Sequence, residues 1–142
     1  MMGTAMGEEK TQPVQELPLQ GARVLIVEDE YYIADDLRRT LDAAGASVVG
    51  PISTIEKATS AIDAGDFDCA VIDLNLHGQS VVPIADRLMG EGRSFAIATG
   101  YGSDVVPDRL KSVPRIEKPF DPPALLDVVK RLSCSRADAR AG

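Results

Sequence analysis

At 142 residues, with 44% hydrophobic side chains, the chain is sized for one domain with its own core, which argues against wholesale disorder. A net charge of −7 argues against a general nucleic-acid binder or a partner of anionic membranes, since both need a basic face. Two cysteines in no metal or disulfide spacing, no apolar stretch of membrane-spanning length and no signal-peptide pattern lead to the expectation of a cytoplasmic protein without a membrane partner.

Residues 1–20 show no apolar periodicity, and Pro13 and Pro18 interrupt any regular element. They read as a flexible N-terminal extension, followed by one domain over 21–133 and a short polar tail over 134–142. Arg23–Val27 reads as a first strand opening into Glu28-Asp29-Glu30. Ile33, Leu37, Leu41 and Ala44 then recur at helical spacing, with Asp35, Asp36, Arg38 and Arg39 opposite and Gly45 as the C-cap. Ala46–Gly50 reads as a second strand closed by Pro51. Ser53-x-x-Glu56 has the form of a capping box and predicts a helix from Thr54 to about Ala64, ending at Gly65.

The run from Cys69 to Ile72 is continuously apolar and ends in Asp73, as a buried strand of a parallel sheet would. After a loop through Leu76-His77-Gly78-Gln79, a helix is predicted from Val81 to Met89, stopped by Gly90 and Gly92. Phe95–Ala98 reads as a fourth strand, ending in Thr99-Gly100-Tyr101-Gly102. A short fourth helix is predicted from about Asp104 to Lys111, with Pro107 in its first turn. Arg115–Glu117 reads as an edge strand after Pro114. Asp121 is the predicted N-cap of a last helix with Pro122 and Pro123 in its first turn and Leu125, Val128, Val129 and Leu132 as its stripe.

Five β–α units in alternation predict an α/β fold: a (βα)5 doubly wound parallel sheet with the flavodoxin-like strand order 2-1-3-4-5. Strands one and three are then neighbours. Glu28, Asp29 and Asp73 would share the crevice at the switch point, flanked by Thr99 and Lys118. Three crowded carboxylates repel one another unless a cation intervenes, and Mg²⁺ is the expected hard, oxygen-binding ion. Asp73 is then a metal ligand, and a candidate nucleophile toward phosphorus through an acyl phosphate. The Lys118 ammonium would balance charge on the transferred group. A Thr99 hydrogen bond to a charged oxygen is worth about 1.5–3 kcal/mol, enough to shift a two-state equilibrium by roughly one to two powers of ten. Singly, each residue has a plainer reading: an acidic helix start, a loop hydroxyl, a solvated lysine. All of them at strand ends in one topology is harder to dismiss.

Glu28-Asp29, Val71-Ile72-Asp73-Leu74, Ala98-Thr99-Gly100 and Lys118-Pro119-Phe120 together resemble the acid pair, phosphoacceptor, switch threonine and lysine of two-component response-regulator receiver domains, the CheY-like superfamily. The resemblance spans about Ala22–Leu132. It implies Mg²⁺-dependent phosphorylation of Asp73 by a histidine kinase or histidine phosphotransfer protein, followed by autodephosphorylation. It further implies Asp29 as the direct Mg²⁺ ligand, Glu28 acting through water, the Asn75 backbone carbonyl completing the site, and a cis Lys118–Pro119 peptide. Such a domain catalyses only its own phosphorylation and dephosphorylation.

The aromatic that many receivers carry three residues before the lysine is here Arg115. The stretch after strand four resembles the Phe-Ala-Thr-Gly type, which makes Tyr101 the substitute switch residue beside Thr99. With only nine residues after Ser133, a stand-alone receiver without an output domain is expected, as monomer or phosphorylation-dependent dimer. The resemblance puts its contact face for an unidentified downstream protein on the fourth helix, fifth strand and last helix. His77, the single histidine, reads as a plain loop residue, Cys69 as core packing, and Cys134 as an unactivated thiol. A haloacid-dehalogenase-type phosphatase is the alternative, disfavoured because Asn75 stands where a second acid belongs. A flavodoxin is disfavoured because Glu28-Asp29-Glu30 would repel its phosphate.

Overall fold

The computed structural model describes residues 17–100 and 106–141. Five strands form one parallel sheet: β1 (Arg23–Val27), β2 (Ser47–Ile52), β3 (Cys69–Asp73), β4 (Ser94–Thr99) and β5 (Arg115–Glu117). Their spatial order is β2-β1-β3-β4-β5. Among the described residues four helices cover the sheet: α1 (Tyr31–Ala43), α2 (Ile55–Ala64), α3 (Val82–Gly90) and α4 (Pro122–Ala141). This is the expected doubly wound α/β sheet in the flavodoxin-like order.

The two-residue period of the strands sorts the core into halves. Val24, Ile26, Cys69, Val71, Ala96 and Ala98 pack with Leu37 and Leu41 of α1 and Leu125, Val129 and Leu132 of α4. The alternate residues Leu25, Val27, Ala70, Ile72, Phe95 and Ile97 pack with Ala58 and Ile62 of α2 and Ile84 and Leu88 of α3. Both faces of the central strands are thus covered, which is why β1 and β3 read as unbroken apolar runs. Each large aliphatic side chain buried this way contributes ~1.5–3 kcal/mol. That burial holds the strand ends in place for the site.

Several boundaries differ from the sequence expectation, each for a local reason. Leu19, assigned to the extension, is buried at 2% exposure, and its N–H donates to the Ala44 carbonyl at 2.8 Å. Helix α1 ends with Ala44 as its C-cap, and Gly45 takes the positive φ just beyond it. Strand β2 does not stop at Pro51 but runs through it. Leu25 faces Val49 while Val27 faces Ile52, so two residues of β2, Gly50 and Pro51, oppose one of β1, Ile26, in a bulge. Gly50 makes that bulge at φ +102, where an added Cβ would meet Ile52 N at 2.7 Å and Ile26 O at 2.9 Å.

The cap of α2 is Thr54, whose Oγ1 accepts from Lys57 N at 3.2 Å, rather than Ser53. The loop after β3 contains a small antiparallel hairpin, Asn75–Leu76 with Gln79–Ser80. Of the predicted fourth helix, 104–105 lie outside the described residues, and only a 3-10 turn, Asp108–Leu110, forms in the rest. Pro107 stands before that turn at ψ 147, and a residue preceding proline is biased away from helix. Burial of Val106, Leu110 and Val113 anchors this segment instead. Helix α4 continues past its apolar stripe to Ala141.

Candidate functional site

Strands β1 and β3 are paired with Val27 opposite Ile72, so the residues that follow them leave the sheet at one end. There Glu28, Asp29 and Asp73 each offer an oxygen, all within 4.8 Å of one another. Asp73 pairs with Ala98 and Thr99 pairs with Glu117, which brings the next residue, Lys118, to the same edge. Lys118 N donates to the Thr99 carbonyl at 2.7 Å, and the Lys118–Pro119 peptide is cis, as expected. The ammonium then reaches 2.6 Å from Asp73 Oδ2 and 3.0 Å from Glu28 Oε1.

Most oxygens of the corner have a fixed neighbour. Glu28 Oε2 accepts from Glu30 N at 3.1 Å, and Asp73 Oδ1 accepts from Asn75 N at 2.9 Å. Asp29 Oδ2 accepts from His77 N at 2.9 Å. The Glu28 backbone N–H donates to the Ile52 carbonyl at 2.9 Å, so the β2 bulge helps to aim this residue. Glu28 Oε1 is different. It is buried, touches Lys118 as an ion pair, and accepts no hydrogen bond of good geometry among the described residues.

Burial pushes the Glu28 carboxyl up to about 7, despite the opposing Glu30 hydrogen bond and the adjacent Lys118 ammonium. Burial also works against the Lys118 charge, but the hydrogen bonds and charges of Asp73 and Glu28 outweigh it and raise this ammonium. Three carboxylates against one ammonium leave a formal charge of −2 when all are ionised. A divalent cation would cancel that charge and occupy the orphaned Glu28 oxygen. The donor set, all carboxylate oxygen, fits a hard ion. A cavity of about 360 Å³ opens beside Glu28 and Asp29, rimmed by Tyr31, Arg38 and Ser53, although Asp73 is not in its wall.

Glu28, Asp29, Asp73 and Lys118 therefore converge in space. Thr99 is half-buried at the end of β4, holding the backbone of Lys118. Asn75 is exposed in the hairpin, its N–H on Asp73 and its Oδ1 accepting from Gly78 N at 2.9 Å. Tyr101 lies outside the described residues. Arg115 is exposed on the edge strand, opposite Ile97. His77, read from sequence as a plain loop residue, sits exposed in the hairpin turn with its backbone N–H on Asp29 Oδ2. Its partner lies 48 positions earlier, and no local pattern signals such a contact.

No protein-family model matches the chain. The solution structure of SdrG from Sphingomonas melonis Fr1 is 32% identical, with a TM-score of 0.72, covering 81% of this chain and 97% of that one. A second SdrG structure, in a BeF3-activated conformation, is 30% identical at a TM-score of 0.67 and covers 84% and 99% of the two chains. A CheY-like response regulator receiver domain from Methylobacillus flagellatus, 24% identical, shares the fold at a TM-score of 0.67 over 80% of this chain and 98% of its own. Regulatory protein VanR of Enterococcus faecium is 29% identical over 113 residues, which is 76% of this chain and 48% of VanR. The chain spans about half the length of the curated relatives it matches.

The chain belongs to the response-regulator receiver family, the CheY-like domains of two-component signalling. No helix among the described residues is long and apolar enough to cross a membrane.

Proposed function

We propose that this receiver takes a phosphoryl group onto Asp73 from the phosphohistidine of a histidine kinase or histidine phosphotransfer protein, in a Mg²⁺-dependent reaction. The observation that carries the reading is the Lys118 ammonium, 2.6 Å from Asp73 and 3.0 Å from Glu28, beside three mutually close carboxylates. Glu28, Asp29, Asp73 and the Asn75 backbone carbonyl would hold Mg²⁺, which when bound supplies positive charge for the phosphoryl oxygens. A carboxylate oxygen of Asp73 attacks phosphorus, the P–N bond to the donor imidazole breaks, and the imidazole keeps the electron pair and takes up a proton. Lys118 orients the nucleophile beforehand and then balances the charge of the acyl phosphate. Thr99 donates its hydroxyl to a phosphoryl oxygen. Hydrolysis by water returns Asp73 to its free form.

Between the two states the phosphoryl group reorganises Thr99 and the chain after it, with Tyr101 as the aromatic partner. The affinity of a protein-binding surface changes accordingly. The reading places the protein in the cytoplasm with its donor. A haloacid-dehalogenase-type phosphatase finds less support, because Asn75 offers no second carboxylic acid and its side chain is engaged by Gly78.

The test is incubation with phosphoramidate or acetyl phosphate and Mg²⁺, read by intact-mass spectrometry. One phosphoryl adduct is expected on the wild type, and none on Asp73→Asn or in EDTA. An undiminished adduct on Asp73→Asn would sink the assignment.

A further inference from the structure

Two stretches of chain leave the carboxyl edge of the sheet from the residues assigned to the phosphoryl group, Asp73 and Thr99. After Asp73 the chain turns through the hairpin, Val81 N donates to the Leu74 carbonyl at 2.7 Å, and α3 begins. The chain beyond Thr99 includes residues 106–113, whose Val106, Leu110 and Val113 are buried in the core half that also holds Ile84 and Leu88 of α3. A bidentate ion pair joins the two stretches on the outside. Arg109, in the 3-10 turn, places Nε 2.8 Å from Asp86 Oδ1 and Nη2 2.9 Å from Asp86 Oδ2. A fork of this kind fixes orientation as well as distance. The guanidinium holds the Asp86 carboxyl below the usual carboxylate range. Both side chains are solvated, at 60% and 41% exposure, so the core does not require them.

We propose that the Arg109–Asp86 pair is a latch that holds residues 106–113 against α3 in the phosphate-free protein, and that phosphorylation of Asp73 opens it. This rests on the receiver reading given above. Phosphorylation draws the Thr99 hydroxyl to a phosphoryl oxygen and shifts the chain beyond it relative to α3. The directional fork resists such a shift, whereas apolar contacts are non-directional and can slide. An exposed ion pair biases an equilibrium by about fivefold at most, against roughly one to two powers of ten for the Thr99 hydrogen bond. The phosphoryl group therefore prevails, and the latch sets how strongly the free domain resists it. Residues 106–113 stay docked through Val106, Leu110 and Val113, so opening is a displacement rather than local unfolding.

The experiment uses the full chain with Mg²⁺ and beryllofluoride, which stands in for the phosphoryl group on a carboxylate. Titration followed in ¹H–¹⁵N NMR spectra gives the beryllofluoride affinity, and the Arg109 Nε–H signal reports the pair directly. Asp86→Asn and Arg109→Met each break the pair. In the wild type the Arg109 signal is expected to move, at saturation, toward its position in Asp86→Asn. Each single variant is expected to bind beryllofluoride roughly two- to fivefold more tightly. The double variant should gain no more than either single one, because one pair is broken only once. A pair that merely stabilises the fold would lower resistance to urea and leave the affinity unchanged. Unchanged or weakened affinity in either single variant, additive gains in the double variant, or an Arg109 signal that stays in place at saturation overturns the inference alone. A wild type that binds no beryllofluoride overturns it together with the receiver chemistry.

Discussion

The Lys118 ammonium lies 2.6 Å from Asp73 Oδ2 although 45 residues separate the two in the chain. Lys118→Met removes the counter-charge and leaves Glu28 and Asp73 buried together. Breaking a buried pair costs ~3–5 kcal/mol, and Lys118, at 12% exposure, is expected to fall near the low end at pH 8. The loss should shrink at pH 5, where the Glu28 carboxyl takes up a proton. Urea denaturation at the two pH values measures it, and an equal loss at both would contradict the charge argument.

Glu28 makes the cation-free protein pH-sensitive. Its carboxyl is raised by burial to about 7, above the ordinary 4.5, so between those values the folded chain holds a proton that the unfolded chain has released. Stability from this group is complete below about pH 4.5 and is lost as pH rises through 7. Chemical denaturation in EDTA should therefore show a decline from pH 5 to pH 8, on the scale of 1.36 kcal/mol per unit of pKa difference at most. Millimolar Mg²⁺ at pH 8 should reverse it.

Gly50 couples an edge strand to the acidic corner. A Cβ at this φ of +102 would sit 2.7 Å from Ile52 N, and the Ile52 carbonyl is the acceptor for Glu28 N. Gly50→Ala is expected to cost about 1–3 kcal/mol and also to weaken divalent-ion binding, although residue 50 touches no ion. Calorimetric titration with Mg²⁺ beside a denaturation curve separates the two effects.

Thr54, rather than Ser53, caps α2. Thr54→Ala should destabilise the fold by about 1 kcal/mol, whereas Ser53→Ala should stay within about 0.5 kcal/mol of wild type. Thermal melts of the two variants decide which hydroxyl serves the helix.

The amino-acid sequence by itself determined the sheet and the residues at its carboxyl end. Arg23–Val27 and Cys69–Asp73 could be read to the residue because burial on both faces imposes continuous apolar runs, a purely local signal. Given parallel strands in the order 2-1-3-4-5, the meeting of Glu28, Asp29, Asp73 and Lys118 followed from their positions just past strand ends. Only the tertiary structure decided the rest: the bulge at Gly50, the cap at Thr54, the 3-10 turn in place of a fourth helix, and the placement of His77 on Asp29. The bulge and the His77 contact depend on an atom from another part of the chain, Ile26 O against Gly50 and Asp29 Oδ2 against His77. Hydrophobic period is written along one segment, whereas a hydrogen-bond partner is chosen by whichever backbone the completed sheet brings alongside.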